Sequence, residues 1–181
     1  MDKNKNLILG ISAFYHDSAI ALINDGEIIF AAQEERFTRK KFDASFPINS
    51  IRACLKANNI SITDIDYIVF YDDPKLKLKR IISTFINYSP KGYQIFKKIS
   101  DEWRRKKNLD EIISKLIQKN FEVMPYQIPE IFFSKHHYSH AASAFFPSNF
   151  EESMVLCVDG VGEYDTTSIW HGYQNELSYI K

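Results

Sequence analysis

Asn24-Asp25-Gly26 lies between two apolar runs, 19-AIALI-23 and 27-EIIFAAQ-33. An Asp-Gly pair in that setting predicts a type I′ hairpin, whose two central positions both need positive φ. The run 7-LILGISA-13 reads as a buried strand just before it. The chain therefore opens with three strands, the last two antiparallel. A helix is predicted from Pro47 through Ile51 and Leu55, stopped by Asn58-Asn59, and then a short strand at 67-YIVFY-71. Asp73-Pro74 and Ser89-Pro90 each put a capping side chain before a proline at the first helical position, so each predicts a helix. Ile112, Ile113, Leu116 and Ile117 form the stripe of a third. After Pro125 and Pro129, 130-EIFFS-134 is a strand, and a helix runs from the His136 region to about Phe146, where Pro147 stops it. Three strands close the chain at 153-SMVLCVD-159, 166-TTSIWHGY-173 and 176-ELSYI-180.

That order repeats itself. The layout of 8-ILGISAFYHDSAIALINDGEIIF-30 returns in 154-MVLCVDGVGEYDTTSIWHGYQNELSYI-180 as strand, Gly/Asp turn, strand, turn, strand. The first unit is expected to hold a mixed sheet with strands near 7–13, 18–24, 27–33, 66–71 and 130–134. From Ser153 onward a second sheet begins.

Composition narrows the class. The chain has 181 residues, 45% hydrophobic and 25% charged, which is the balance of a globular domain with a core. Cys54 and Cys157 are the two cysteines, each in an apolar pattern, and they read as buried thiols in a reducing cytoplasm. No apolar run is long enough to span a bilayer. Lysines precede an apolar run at the start, as in a signal peptide, but the run is short and His16-Asp17 follows at once, so a buried strand is the better reading. Net charge is zero, yet Pro74 to Lys119 holds 13 Lys/Arg against 4 Asp/Glu, a surplus of 9 offset elsewhere. A helical insert with a solvated basic face accounts for this, and a surface drawing in phosphate substrates is the alternative. Phe85, Tyr88, Phe96 and Trp103 fall at helix spacings among aliphatic residues, which argues against a base-stacking platform and so against nucleic acid.

Duplicated lobes of this plan are those of the ribonuclease-H-like, actin-like (ASKHA) α/β fold. More specifically, the chain resembles the N-terminal part of a NodU/CmcH-type O-carbamoyltransferase. The residues that carry the likeness are 9-LGISAFYHDSAIAL-22, 33-QEERFTRKKFDASFP-47, 136-HHYSHAASAFFPS-148 and 158-VDGVGEYDTTSIW-170. The resemblance implies a first lobe over 1–150, with a basic helical insert at 74–120, and the truncated start of a second lobe over 151–181. It also implies a two-step reaction. A carbamoyl-adenylate forms from carbamoyl phosphate and ATP in a separate YrdC-like C-terminal domain. The carbamoyl group then passes to a hydroxyl of a sugar, antibiotic or nodulation-factor-like acceptor.

Site residues follow from the motifs. His136 and His140 stand at i and i+4, so on a helix they share a face and can grip one ion. Alone, an HxxxH pair is better explained by surface accident, and Asp159 with the family likeness turns the reading to metal. Asp159 ends a strand and opens a glycine turn, where a carboxylate can add a third ligand. Two imidazoles and one carboxylate suit iron(II) first and zinc second. His137 competes at i, i+3 with His140, and the family motif favours the outer pair. The family adds a further aspartate from the second lobe. By the same resemblance His16, in Tyr15-His16-Asp17-Ser18, is the general base on the acceptor hydroxyl, with Asp17 placed to orient it or cap the turn. Gly160 and Gly162 can let backbone N–H groups approach phosphate. In the basic run Arg36, Arg39, Lys40, Lys41, the last is assigned to a phosphate of the adenylate, against a solvated loop in which Glu34 and Glu35 pair with those cations. His171 receives no role.

Three functional classes follow: the front part of a carbamoyltransferase, a non-catalytic truncated or split-gene subunit of one, or a sugar-kinase-like ATPase lobe, which would not need HxxxH. The acceptor is a small molecule, and no membrane is expected to take part.

Overall fold

The computed structural model describes residues 6–94, 96, 97 and 108–181. Strands form where apolar side chains alternate or run together. They are β1 (Leu7–Ser12), β2 (Ala19–Asn24), β3 (Glu27–Gln33), β4 (Tyr67–Phe70), β5 (Glu130–Phe133), β6 (Glu152–Val158), β7 (Thr167–Tyr173) and β8 (Glu176–Tyr179). Among the described residues the longer helices are α2 (Ile48–Asn58), α3 (Pro74–Tyr88), α4 (Leu109–Phe121) and α5 (His136–Phe145), with α1 (Glu35–Thr38) a single turn. The helix expected after Ser89-Pro90 runs into residues 98–107, outside the described set.

Two compact units divide the described residues. One takes in the chain up to Tyr71 and Leu109–Phe133, the other the described parts of Asp72–Asn108 and Ser134–Lys181.

The first unit is α/β with a mixed sheet ordered β3-β2-β1-β4-β5. β1 pairs antiparallel with β2 and parallel with β4, and β4 pairs parallel with β5. Asp25 and Gly26 both take positive φ, 52° and 88°, as the type I′ turn requires. Leu9, Ile11, Ile20, Leu22, Ile68 and Phe70 from the sheet are buried in one cluster. Ile51 and Cys54 of α2 join it, as do Ile113 and Ile117 of α4. α2 ends at Asn59, whose φ of 53° lets its N–H turn back to the Leu55 and Lys56 carbonyls.

The segment after β3 departs from the solvated loop that is the alternative reading of the basic run. α1 forms there and stops at Arg39, φ 58°. Glu34 does not pair with the neighbouring cations. It is buried and accepts from Asn49 N and Nδ2 at 3.0 and 2.7 Å, and from Ser50 N and Oγ at 2.8 and 2.7 Å. The N-cap of α2, Pro47, has no side chain to do this, so a carboxylate from the preceding motif satisfies the first turn. Glu35 is the acid that pairs, with Lys41 at 3.3 Å. Asp43 then ties the motif to the His16 turn. Its carboxylate accepts from Ser45 N at 3.0 Å and Thr38 Oγ1 at 2.8 Å. Its carbonyl accepts from Ser18 N at 2.8 Å, and the Ala44 carbonyl from Phe14 N at 2.9 Å.

The second unit holds an antiparallel sheet ordered β6-β7-β8. α5 packs on its inner face, where Ala141, Cys157 and Trp170 are buried. Phe145 reaches β7 at Gly172, where an added Cβ would stand 2.6 Å from the ring. The outward row of β6 is open, with Met154, Leu156 and Val158 at 59, 64 and 73% exposure. Cys54 and Cys157 are free, buried thiols, and burial raises both, Cys54 to about 11. No helix among the described residues is long and apolar enough to cross a membrane.

Two outcomes are expected. Gly172→Ala should destabilise the protein by about 1–3 kcal/mol in urea unfolding, as overpacking against an immobile ring does. Hydrogen bonds from Ser45 and Thr38 hold the Asp43 carboxyl at about 2, below its ordinary 3.8. A depressed carboxylate stabilises above its unfolded value and loses that contribution as pH falls through the folded one. The stability gap between wild type and Asp43→Asn should therefore be full at neutral pH and close as pH drops from 3.8 towards about 2.

Candidate metal centre

α5 begins His-His-Tyr-Ser-His, so His136 and His140 project from one face. Its N-cap, Lys135, offers no side-chain acceptor. Glu163, from the loop between β6 and β7, takes that place, with both oxygens 2.9 Å from the His136 N–H. Glu163 Oε1 also accepts from Asp73 N at 3.1 Å, at the N-cap of α3. One carboxylate thus serves the starts of two helices, where orphan N–H groups and both helix dipoles favour negative charge. Burial pushes the Glu163 carboxyl up. The Asp73 and His136 N–H groups pull it down, the charge of Asp72 pushes up again, and the net direction is up.

The candidate ligand atoms meet beyond this anchor. His136 Nε2 lies 2.8 Å from Asp159 Oδ2 and 3.1 Å from His140 Nε2. One ligand atom from each of His136, His140 and Asp159 falls within 4.8 Å of the others. Asp159 is set by its own turn: its Oδ1 accepts from Gly160 N at 2.6 Å, and its N–H donates to the Thr166 carbonyl at 2.8 Å. Burial lowers the His136 imidazole most, and Lys77 and His140 add to this. Asp72 and Asp159 oppose it without prevailing, so the ring favours its neutral, ligating form. For Asp159 burial raises the carboxyl, but the Gly160 N–H and the His136 contacts outweigh it and hold it below the usual range. Two imidazoles, that of His136 held toward its neutral form, and an ionised carboxylate fit a divalent cation of the borderline class.

His137 points elsewhere. It is buried, with Nδ1 2.7 Å from Ser168 Oγ, which also accepts from Trp170 Nε1 at 2.8 Å. Gly162 has a packing reason: a Cβ there would lie 2.9 Å from the His136 ring and 3.1 Å from the His137 ring. Its N–H donates to the Asp165 carbonyl at 3.1 Å. A Cβ on Gly160 would meet nothing within 4 Å.

In the first unit, His16 Nδ1 is 2.9 Å from Asp17 Oδ2, and the ring is exposed. Lys41 lines a concavity of about 110 Å³ with Glu35, Arg36, Arg39 and Lys40.

Glu163, Asp72 and Lys77 were not singled out by sequence reasoning. The Asp72-Asp73-Pro74 doublet carried a faint signal, since one aspartate suffices as a cap and the second is left over.

Residues 7–180 match the family described as carbamoyltransferase N-terminus. The chain belongs to that family. The NodU/CmcH-type resemblance seen in its motifs agrees with this. Over 172 residues it is 48% identical to the uncharacterized protein sll1178 of Synechocystis sp., covering 94% of this chain and 28% of that one. Over 155 residues it is 32% identical to the nodulation protein NolNO of Sinorhizobium fredii, covering 84% of this chain and 21% of the relative. The chain thus spans less than a third of either relative's length. YeaZ from Pseudomonas aeruginosa superposes with a TM-score of 0.47 at 13% identity, over 97% of this chain and 64% of that one.

Removing a ligand should separate the histidines. His140→Ala is expected to lose most bound metal in elemental analysis of the purified protein, and His137→Ala to keep it. Equal metal content in all variants would sink the assignment.

Proposed function

We propose that this chain is the N-terminal, metal-holding part of an O-carbamoyltransferase that delivers a carbamoyl group to a hydroxyl of a small acceptor of the sugar, antibiotic or nodulation-factor type. The observation that carries the reading is the convergence of His136 Nε2, His140 Nε2 and Asp159 Oδ2 in a chain of the carbamoyltransferase N-terminus family. The donor is carbamoyl-adenylate, made from carbamoyl phosphate and ATP in a YrdC-like domain beyond these residues. When bound there, a divalent cation, iron(II) in preference to zinc, supplies Lewis-acid polarisation of the donor.

The chain's own residues do the rest. His16 is the general base. With Nδ1–H donated to Asp17, its Nε2 carries the lone pair that takes the acceptor hydroxyl's proton. Asp17 fixes the ring's tautomer, as the third group that orients a general base does. Lys41, among the cations at its concavity, attracts the adenylate phosphate, and Gly160, with open space where a Cβ would stand, keeps the loop beside Asp159 slim enough for phosphate to approach, while Gly162 serves that loop by packing on the imidazole rings.

The architecture we propose is a pair of ribonuclease-H-like lobes. In the first sheet β1 is flanked by β2 on one side and β4 on the other. β6, β7 and β8 repeat the β1-β2-β3 meander. The open edge and exposed outer row of β6 suit further second-lobe elements, including the family's additional aspartate ligand. Two free thiols suit a reducing cytoplasm.

The test is to incubate these 181 residues with carbamoyl phosphate, ATP and a panel of hydroxyl acceptors, following AMP release and product mass. No turnover is expected from them alone. Activity should return on adding the remaining C-terminal portion as a separate polypeptide, and should fall by about 100-fold or more with His16→Ala, the scale of a lost general base. Turnover by the 181 residues alone would overturn the two-domain mechanism.

A further inference from the structure

His136 has a carboxylate near each of its ring nitrogens. Nε2 faces Asp159 and His140. Nδ1 lies 4.0 Å from Oδ1 of Asp72. Asp72 is buried, directly before the N-cap of α3. Its Oδ2 is taken by Lys77, whose side chain is also largely buried. By geometry its Oδ1 meets no hydrogen-bond donor among the described residues, and the Glu163 carboxyl is its acidic neighbour. A buried acceptor without a donor is costly and is kept for a reason. An imidazole that offers Nε2 to a cation carries its proton on Nδ1, and that proton needs an acceptor.

The geometry points to Asp72 as the positioning residue of His136. Its Oδ1, at 4.0 Å a short approach from hydrogen-bond range, is the acceptor to which the Nδ1–H turns when Nε2 ligates, and this keeps the Nε2 lone pair directed toward His140 and Asp159. Lys77 fixes the Asp72 carboxylate from the far side and balances its charge. Asp72 is not itself a ligand. The assignment rests on the metal reading above and adds to it the residue that sets the ligand's tautomer.

The experiment uses zinc as the probe ion and the full-length protein. Zinc affinity is measured by calorimetric titration for wild type, Asp72→Ala and Asp72→Asn, with folding checked by thermal melts. Asp72→Ala should bind zinc about 10–100-fold more weakly, the usual cost of losing an outer partner. Asp72→Asn keeps an acceptor oxygen and should recover part of that loss. Long-range proton–nitrogen NMR of the zinc-loaded protein should show His136 protonated at Nδ1 in wild type, with that proton exchanging faster in the variants. If wild type and the folded variants bind zinc alike and share one proton-exchange rate at His136, Asp72 has no positioning role and the metal reading survives. If wild type binds no zinc, both fall. Should Asp72→Ala not fold, Asp72→Asn alone decides, since unchanged affinity and exchange there would also overturn the assignment.

Discussion

Glu163 reaching back to the His136 N–H is the contact on which the placement of the histidine helix depends. The helix begins with His136 itself. Lys135, its N-cap, has no side-chain acceptor, and a Ser or Asp at that place would add its own side chain beside the His136 ring. The acceptor therefore comes from a loop distant in sequence. Because the same carboxylate also accepts from Asp73, the starts of α3 and α5 are fixed to one point. Gly162, one residue before Glu163, lets that loop lie against the His136 ring. Anchor, clearance and candidate ligand thus come from five consecutive residues, Asp159 to Glu163.

The electrostatics around this point are balanced locally. Asp72, Glu163 and Asp159 bring three carboxyl groups near the histidine helix, answered by Lys77 and by N–H groups at two helix starts. Buried charges survive when each has a partner that cannot leave, and backbone N–H groups are such partners. The cluster is thereby confined to one neutral-favouring imidazole and one ionised carboxylate facing each other.

Much of this was legible in the sequence because it is local. The type I′ turn at Asp25-Gly26, the Asp73-Pro74 helix start and the i, i+4 histidines are all set by residues a few places apart, and each lies in the structure within a residue or so of its expected place. What was not legible is non-local. Glu34 looks like one acid in a charged run, and only its hydrogen bonds to Asn49 and Ser50 reveal it as the cap of α2. Glu163 looks like a turn residue, and its partner is 27 residues away. Composition cannot distinguish a solvated acid from one that satisfies a distant helix. Gly162 was read for phosphate, and its closest neighbours are imidazole rings.

Phe14 and Asp17 bracket the His16 turn with positive φ, 71° and 46°, a region where a side chain costs roughly 1–2 kcal/mol per residue. Glycine would relieve that cost at either position. At Phe14 it would also delete the ring that stacks on Phe46 and Phe70 at 6.0 and 6.2 Å, and at Asp17 the carboxylate on His16. The turn is therefore held against a backbone cost by two different contacts, ring packing at Phe14 and the carboxylate on His16 at Asp17. Glycine at position 14 would exchange strain for a lost core contact, and glycine at position 17 would leave the imidazole without its orienting oxygen.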